Sequence, residues 1–358
     1  MAAPPARPML SPAVRTLWRD AATVQVGLDP GSAVVLSGLP PGAGELLRLL
    51  DGRRTEAEVL AAAPPLGISV ADAAGVLALL RRNGLLLEGD PLADLPPELA
   101  PATRQRLGPE LAGARLTSGG GGTLRPGAAI AARTRARVVV RGGGRTAVPL
   151  GALLAAAGVG HVHVSVEGTV GTAEVAAGGY RAEDVRRPRS TAAAEAIRAV
   201  APETDTRPVP VGEVPHVVVY SRCDQPSIVA ALTPEARHVP HLALDVRGDL
   251  AIVGPLVVPG RTACLHCVYL HRCDRDAGWP ALAAQLAAEA ADAQCSAAVA
   301  AFAAGVAALQ ILTHLDGGAP DALSASLELG SPAALVRRRS WAPHPCCGCL
   351  RATLADVG

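Results

Sequence analysis

The chemistry of this chain is concentrated in its cysteines. Cys264 and Cys267 form Cys-Leu-His-Cys, and far downstream His344-Pro345-Cys346-Cys347-Gly348-Cys349 packs three more thiols into four positions. Two thiols separated by two residues can both turn toward one ion. A second close pair then completes a tetrahedron, and soft thiolates suit zinc. Unrelated free cysteines on two loops are the weaker reading, because clustered exposed thiols oxidise readily unless something holds them. Two other cysteines, Cys273 and Cys295, read either as acceptor thiols or as small core residues. Cys295 opens an alanine-rich stretch, where a helix N-terminus would lower its pKa.

A second stretch could receive a phosphate. Gly142-x-Gly144-x-x-Ala147 lies between an apolar run and a helical pattern. Small residues at such a turn let an anion approach the backbone N–H groups that open a helix. The same glycines would also serve helix–sheet packing alone.

The elements that would position these residues fall into two domains. Residues 1–90 read as a small unit of three strands, Arg15–Trp18, Val24–Leu28 and Ala33–Leu36, followed by three helices. The helices are Gly44–Leu50, one opened by the capping box Thr55-x-x-Glu58, and Val70–Arg82, stopped at Asn83-Gly84. Residues 91–135 are rich in proline, glycine and arginine and read as a linker, with one helix near Ala100–Leu111. Residues 136–358 read as a Rossmann-type α/β domain with a zinc lobe: strand Val138–Val140, helix Ala147–Ala157, a strand within Gly158–Val166, helix Thr191–Val200 and strand Val217–Tyr220. Two further strands, Leu323–Leu329 and Ala334–Arg338, lead to the last cysteines.

Composition removes several functions. All 33 basic residues are arginine, so no lysine can form a Schiff base or act as a general base. A net charge of +1 gives no electrostatic case for nucleic acid. The run from Ala293 to Thr313 carries no charge, but it is mostly alanine and glycine, which reads as a close-packed core helix and not a membrane span. The opening MAAPPARPMLSP has no apolar signal core, and the metal-type thiol spacing suits a reducing, cytoplasmic setting.

RVVVRGGGRTAVPLGALLAAAGVGHVHV, with GPLVVPGRTACLHCVYLHRCDRD and WAPHPCCGC, resembles the ThiF-like adenylating proteins, whose fold is that of ubiquitin-activating enzymes. More narrowly, it is similar to actinobacterial members found beside enzymes that modify ribosomally made peptides. The resemblance covers residues 130–350 and implies adenylation of a C-terminal carboxylate. It also implies a structural zinc on Cys264, Cys267, Cys347 and Cys349, with Cys346 as an alternative third ligand. Related domains pair as homodimers. Gly142, Gly144 and Ala147 would meet the nucleotide, and Asp224 would match the aspartate that holds magnesium or the adenylate, followed by Gln225. The chain departs from that pattern in three places. Val166-Glu167 stands where the ribose acid belongs, Ala176-Ala177 stands for an Arg-Gln pair, and Arg189 stands for a lysine. These departures imply a ThiF-like fold that has largely lost adenylation, with binding of ATP and magnesium weak or absent.

The N-terminal unit, from RPMLSPAVRTLWRD onward, resembles PqqD-like peptide-recognition domains. These bind a precursor's leader as an added strand beside the third strand and against the third helix. The resemblance implies a site of Val34, Val35, Leu36, Val76, Leu77, Leu80 and Arg81. A DNA-binding winged helix is the weaker reading, since VADAAGVLALLRRN is apolar until its end.

The expectation is therefore an α/β protein with a winged-helix-like, PqqD-like domain before a ThiF-like domain. It would be a non-catalytic partner that presents a precursor leader peptide to a YcaO-type cyclodehydratase. The alternative is an active ATP-dependent adenylyltransferase acting on a peptide or carrier-protein C-terminus.

Overall fold

The structure is a computed structural model and describes residues 7–11, 14–28, 33–88, 92–117, 124–221, 235–288, 295–330 and 335–349. The chain divides into two compact units, Met1–Ala131 and Ala132–Gly358.

The first unit opens with β1 (Pro8–Leu10), β2 (Thr16–Asp20), β3 (Thr23–Val26) and β4 (Val34–Leu36). Strands β2, β3 and β4 form an antiparallel sheet in that order, so β4 is an edge. Alternation sets the buried face: Val24, Val26, Val34 and Leu36 point into the core. Helices α1 (Ala43–Leu49), α2 (Glu56–Ala61) and α3 (Val70–Arg82) cover them. The capping box is formed: the Thr55 N–H donates to Glu58 at 2.7 Å, and the Glu58 N–H donates to Thr55 Oγ1 at 3.3 Å. Ser69 caps α3, and Gly84 just beyond its end has φ +69°. β5 (Leu86–Glu88) pairs with β1, a strand whose Pro-Met-Leu sequence has no alternation to betray it.

The stretch read as linker is largely helical: α4 (Pro101–Arg106), α5 (Gly108–Thr117) and α6 (Pro126–Arg135). Pro101, Pro109 and Pro126 sit in the first turn of these helices, where a missing N–H costs nothing, so they initiate instead of breaking. Leu95, Leu107, Leu111 and Ile130 form a small buried cluster of their own.

In the second unit β6 (Arg137–Arg141), α7 (Gly144–Ala156), β7 (His161–Ser165), α8 (Arg189–Val200) and β8 (Val217–Ser221) give the expected strand–helix alternation. β9 (His241–Arg247) and β10 (Leu250–Val257) then form a hairpin, followed by α9 (Leu265–Arg275), α10 (Trp279–Ala288), α11 (Ala297–Leu315), β11 (Ala325–Gly330) and β12 (Leu335–Ser340). The sheet order is β12-β11-β10-β9-β8-β6-β7. It is parallel from β7 through β9 and antiparallel from β9 to β12. The sequence reading missed the hairpin because Pro255 lies inside β10; a register shift between Val253 and Leu256 accommodates it.

Helix α11 is long and apolar enough to cross a membrane by length and composition. Its alanines 300, 303, 304, 307 and 308 are instead buried in the unit's core, and the helix packs on α7. Beneath it, Arg133 makes a paired contact with Asp316, from Nε at 2.8 Å and Nη2 at 2.6 Å, and donates to the Ala157 carbonyl.

Candidate functional site

The glycine turn is where β6 hands over to α7. Gly142 has φ +115°, and a Cβ built there would lie 1.7 Å from the Ser221 carbonyl oxygen at the end of β8. Only glycine lets these two strand ends approach so closely. The Gly142 N–H donates to Ser165 O at the end of β7, so the turn is tied to three neighbouring strands. Thr146 Oγ1 and Ser221 Oγ lie 2.9 Å apart in the interior and lock α7 to β8. Ala147 is fully buried, so it serves helix–sheet packing. Gly144 opens the helix with φ +71°.

The N–H of Gly144 points at a carboxylate of the chain itself. Glu174 Oε1 accepts it at 3.2 Å. Oε2 of the same residue accepts the Gly171 N–H at 2.8 Å and Arg189 Nε and Nη2 at 2.9 and 2.7 Å. Glu174 is only 9% exposed. Arg189, which stands where the resembled family has a lysine, therefore sits beside the turn and is paired with Glu174. Glu174 was not anticipated, since a contact across thirty residues has no local signature. Val166 packs against the apolar core, and Glu167 is exposed just past β7. Ala176 accepts the Gly179 N–H in a tight turn. Asp224 and Gln225 lie outside the described residues.

Arg145 bridges to the start of α11, with Nε on Ala173 O at 2.6 Å and Nη1 on Cys295 O at 2.9 Å. The Cys295 thiol is not activated: burial pushes it up, against the helix-terminus expectation.

The thiol corner joins the start of α9 to the turn after β12. Sulfur atoms of Cys264 and Cys267 are 3.8 Å apart, Cys264 and Cys347 3.7 Å, and Cys267 and Cys349 3.5 Å. The edge of a tetrahedron of zinc–thiolate bonds of about 2.3 Å is about 3.8 Å, so the set has the dimensions zinc requires. Cys347, not the exposed Cys346, belongs to it. Burial pushes the Cys347 thiol up to about 11 and raises that of Cys349 as well, so a cation is what would hold these groups as thiolates.

A second cluster borders the corner: the ligand atoms of His271, Asp274 and His344 lie within 4.8 Å of one another. The Cys346 N–H donates to His344 Nδ1 at 3.1 Å, which leaves the ring proton on Nε2, facing Asp274 at 2.8 Å. This pair fixes the cysteine turn to α9 and is not itself arranged as a metal site.

In the first unit a groove of about 470 Å³ runs between β4 and α3, lined among others by Val35, Leu36, Leu39, Ile68, Val76 and Leu79. Of the expected peptide residues, Val35 is exposed on the edge strand. Val34, Leu77 and Leu80 lie in the core, because the period of α3 turns Ala73, Leu77 and Leu80 inward and leaves Asp72, Gly75, Val76 and Leu79 for the groove. Arg81 is paired with Glu56 at 2.8 Å.

No family model matches the sequence, and no curated protein matches it. Among solved structures the chain is similar to E. coli MccB bound to selenomethionine MccA, with TM-score 0.70 and 15% identity, covering 96% of this chain and 99% of that one. MccB with ATP gives TM-score 0.68 at the same identity and coverage. PaaA gives 0.69 at 17% identity, covering 92% and 98%. At these identities the likeness carries the fold, which is ThiF-like. It also corrects the expectation of a non-catalytic leader-presenting partner of a YcaO enzyme with a degenerate ATP site. What the chain matches over 96% of its length is the microcin C7 biosynthetic enzyme MccB, solved with ATP and with N-formylated MccA.

Proposed function

We propose that this chain is an ATP-dependent adenylyltransferase that activates the C-terminal carboxylate of a peptide or a carrier protein. The carboxylate oxygen forms a bond to the α-phosphorus of ATP, the bond to the β-phosphate oxygen breaks, and pyrophosphate leaves; magnesium, when bound, and protein donors would offset its charge. One observation carries the reading. The likeness to MccB runs through 96% of this chain, both units included, and the MccB structures include complexes with ATP and with MccA.

Within this reading the glycine turn and the N-terminus of α7 would face the triphosphate, Arg189 would supply positive charge, and Asp224 would hold magnesium, as the ThiF resemblance implies. Unit one holds the peptide in a PqqD-like manner, by strand addition to β4 with side chains in the groove of Val35, Val76 and Leu79. Cys264, Cys267, Cys347 and Cys349 would hold a zinc ion, and four thiolates leave no open position, so its role is structural. ATP and reduced thiols both belong to the cytoplasm. We extend the proposal to a homodimer, as the ThiF resemblance implies.

The test is exchange of labelled pyrophosphate into ATP by the full chain, with and without a peptide bearing a free C-terminal carboxylate. Peptide-dependent exchange is the expected result. No exchange with peptides that bind, in the presence of magnesium, would overturn the adenylyltransferase reading.

A further inference from the structure

An anion already sits at the opening of α7. The Glu174 carboxylate takes the Gly144 N–H and the Nε–Nη2 edge of Arg189, with the Gly171 N–H behind it. The third nitrogen of that guanidinium, Nη1, donates to Glu167 O at 3.1 Å, so the fork is held in place from its other side. A phosphate would use the same donors: a helix N-terminal N–H and a guanidinium edge suit either group. The two cannot share them, because like charges in a nine-tenths-buried position repel strongly.

We propose that Glu174 is an internal stand-in for nucleotide phosphate: it fills the anion seat made by Gly144 and Arg189, and ATP binds by displacing it. This inference rests on the adenylyltransferase reading and adds a gate to it. The gate sets a threshold on nucleotide binding, and it frees Arg189 for phosphate only when the Thr172–Glu174 turn moves. Removing the negative charge while keeping the side chain's shape should therefore tighten polyphosphate binding. A residue serving only as a strut would instead weaken it, by loosening Arg189.

The experiment is calorimetric titration of the full chain and of Glu174→Gln with inorganic triphosphate and, separately, with magnesium-ATP, with melting curves for both proteins. Glu174→Gln should bind inorganic triphosphate about tenfold tighter or better, a change of about 1.4 kcal/mol. Equal or weaker binding by a folded variant overturns the gate. Should the variant not fold, the wild-type chain still decides. Saturating triphosphate should speed amide hydrogen exchange at Gly171, whose N–H loses its carboxylate acceptor; unchanged or slower exchange overturns the proposal. Pyrophosphate exchange separates the two ideas. Tighter triphosphate binding by Glu174→Gln without any exchange keeps the gate and removes the adenylation reading. Exchange with no gain in triphosphate binding does the reverse.

Discussion

The thiol corner and the glycine turn are both charge-binding devices in the same unit, and they are balanced in opposite ways. The corner collects four thiols, of which burial pushes Cys347 up to about 11 and raises Cys349 as well, so a cation from outside is what would hold that pair as thiolates. The turn meets its own positive end from inside, with Glu174 on the Gly144 N–H and on Arg189. A device completed from outside should fail outright when one ligand is lost. A device completed from inside should change its preference instead.

The largest expected effect follows from the corner. Cys264→Ser should take zinc content from one per chain to well below that and unfold the corner. Structural zinc carries about 10 kcal/mol or more of apparent folding free energy. Cys346→Ser should change stability by no more than about 0.5 kcal/mol, since this side chain is exposed and outside the set. Metal analysis and melting curves check both. Equal losses for the two variants would move the third ligand to Cys346.

The same contrast governs what could be read before the fold was known. The thiol corner was legible because ligand type and spacing carry the chemistry, and only the choice between Cys346 and Cys347 needed coordinates. The glycine turn was legible as a shape: Gly142 and Gly144 stand between β6 and α7 as a strand–turn–helix requires. Its charge balance was not, because Glu174 reaches the turn through a loop with no periodic pattern. On α3 the helical period was read correctly, but the face was not. Leu77 and Leu80 are core residues, since the widest apolar stripe of a helix faces inward, and the groove takes its flank. The β9–β10 hairpin was hidden by one proline.

Arg133 and Asp316 provide an internal standard for the turn. They form a second buried ion pair in the same unit, with side chains 7% and 21% exposed. Removing either partner leaves a buried charge uncompensated, so Arg133→Ala should cost about 3–5 kcal/mol in denaturant unfolding. Arg189→Ala should cost less, as Arg189 is 26% exposed. Equal costs would mark Glu174–Arg189 as a strut of the same kind and weaken the contrast with the corner.

The groove of the first unit tests whether peptide capture is separate from both devices. Val76 lines it and is only partly buried, whereas Leu36 is 5% exposed and belongs as much to the core. Val76→Asp is therefore the cleaner probe. Desolvating the new carboxylate should cost about 2 kcal/mol, about thirtyfold in peptide affinity. Fluorescence polarisation with a labelled peptide measures it, and zinc content should be unchanged.

The smallest expected effect concerns acid. His241 on β9 is 1% exposed, with Nδ1 2.9 Å from the Val239 carbonyl and its ring edge-on to Tyr220. Burial pushes its pKa below the usual histidine value, and the Val239 carbonyl opposes that only in part. His314 shifts the same way, from burial and then from Arg261. A histidine with a depressed folded pKa binds its proton more readily in the unfolded chain. Its contribution is thus complete above the unfolded value of about 6.5 and is lost as pH falls below it, at up to about 1.4 kcal/mol per pH unit for each site. Acid also protonates thiolates and releases a bound metal. Melting should therefore be followed from pH 7 to 5 in wild type and in His241→Gln, with released zinc read by a chelating dye. A flatter slope in His241→Gln at constant zinc content assigns the loss to the sheet beside the glycine turn. A slope that the substitution leaves unchanged, and that tracks zinc release, assigns it to the thiol corner.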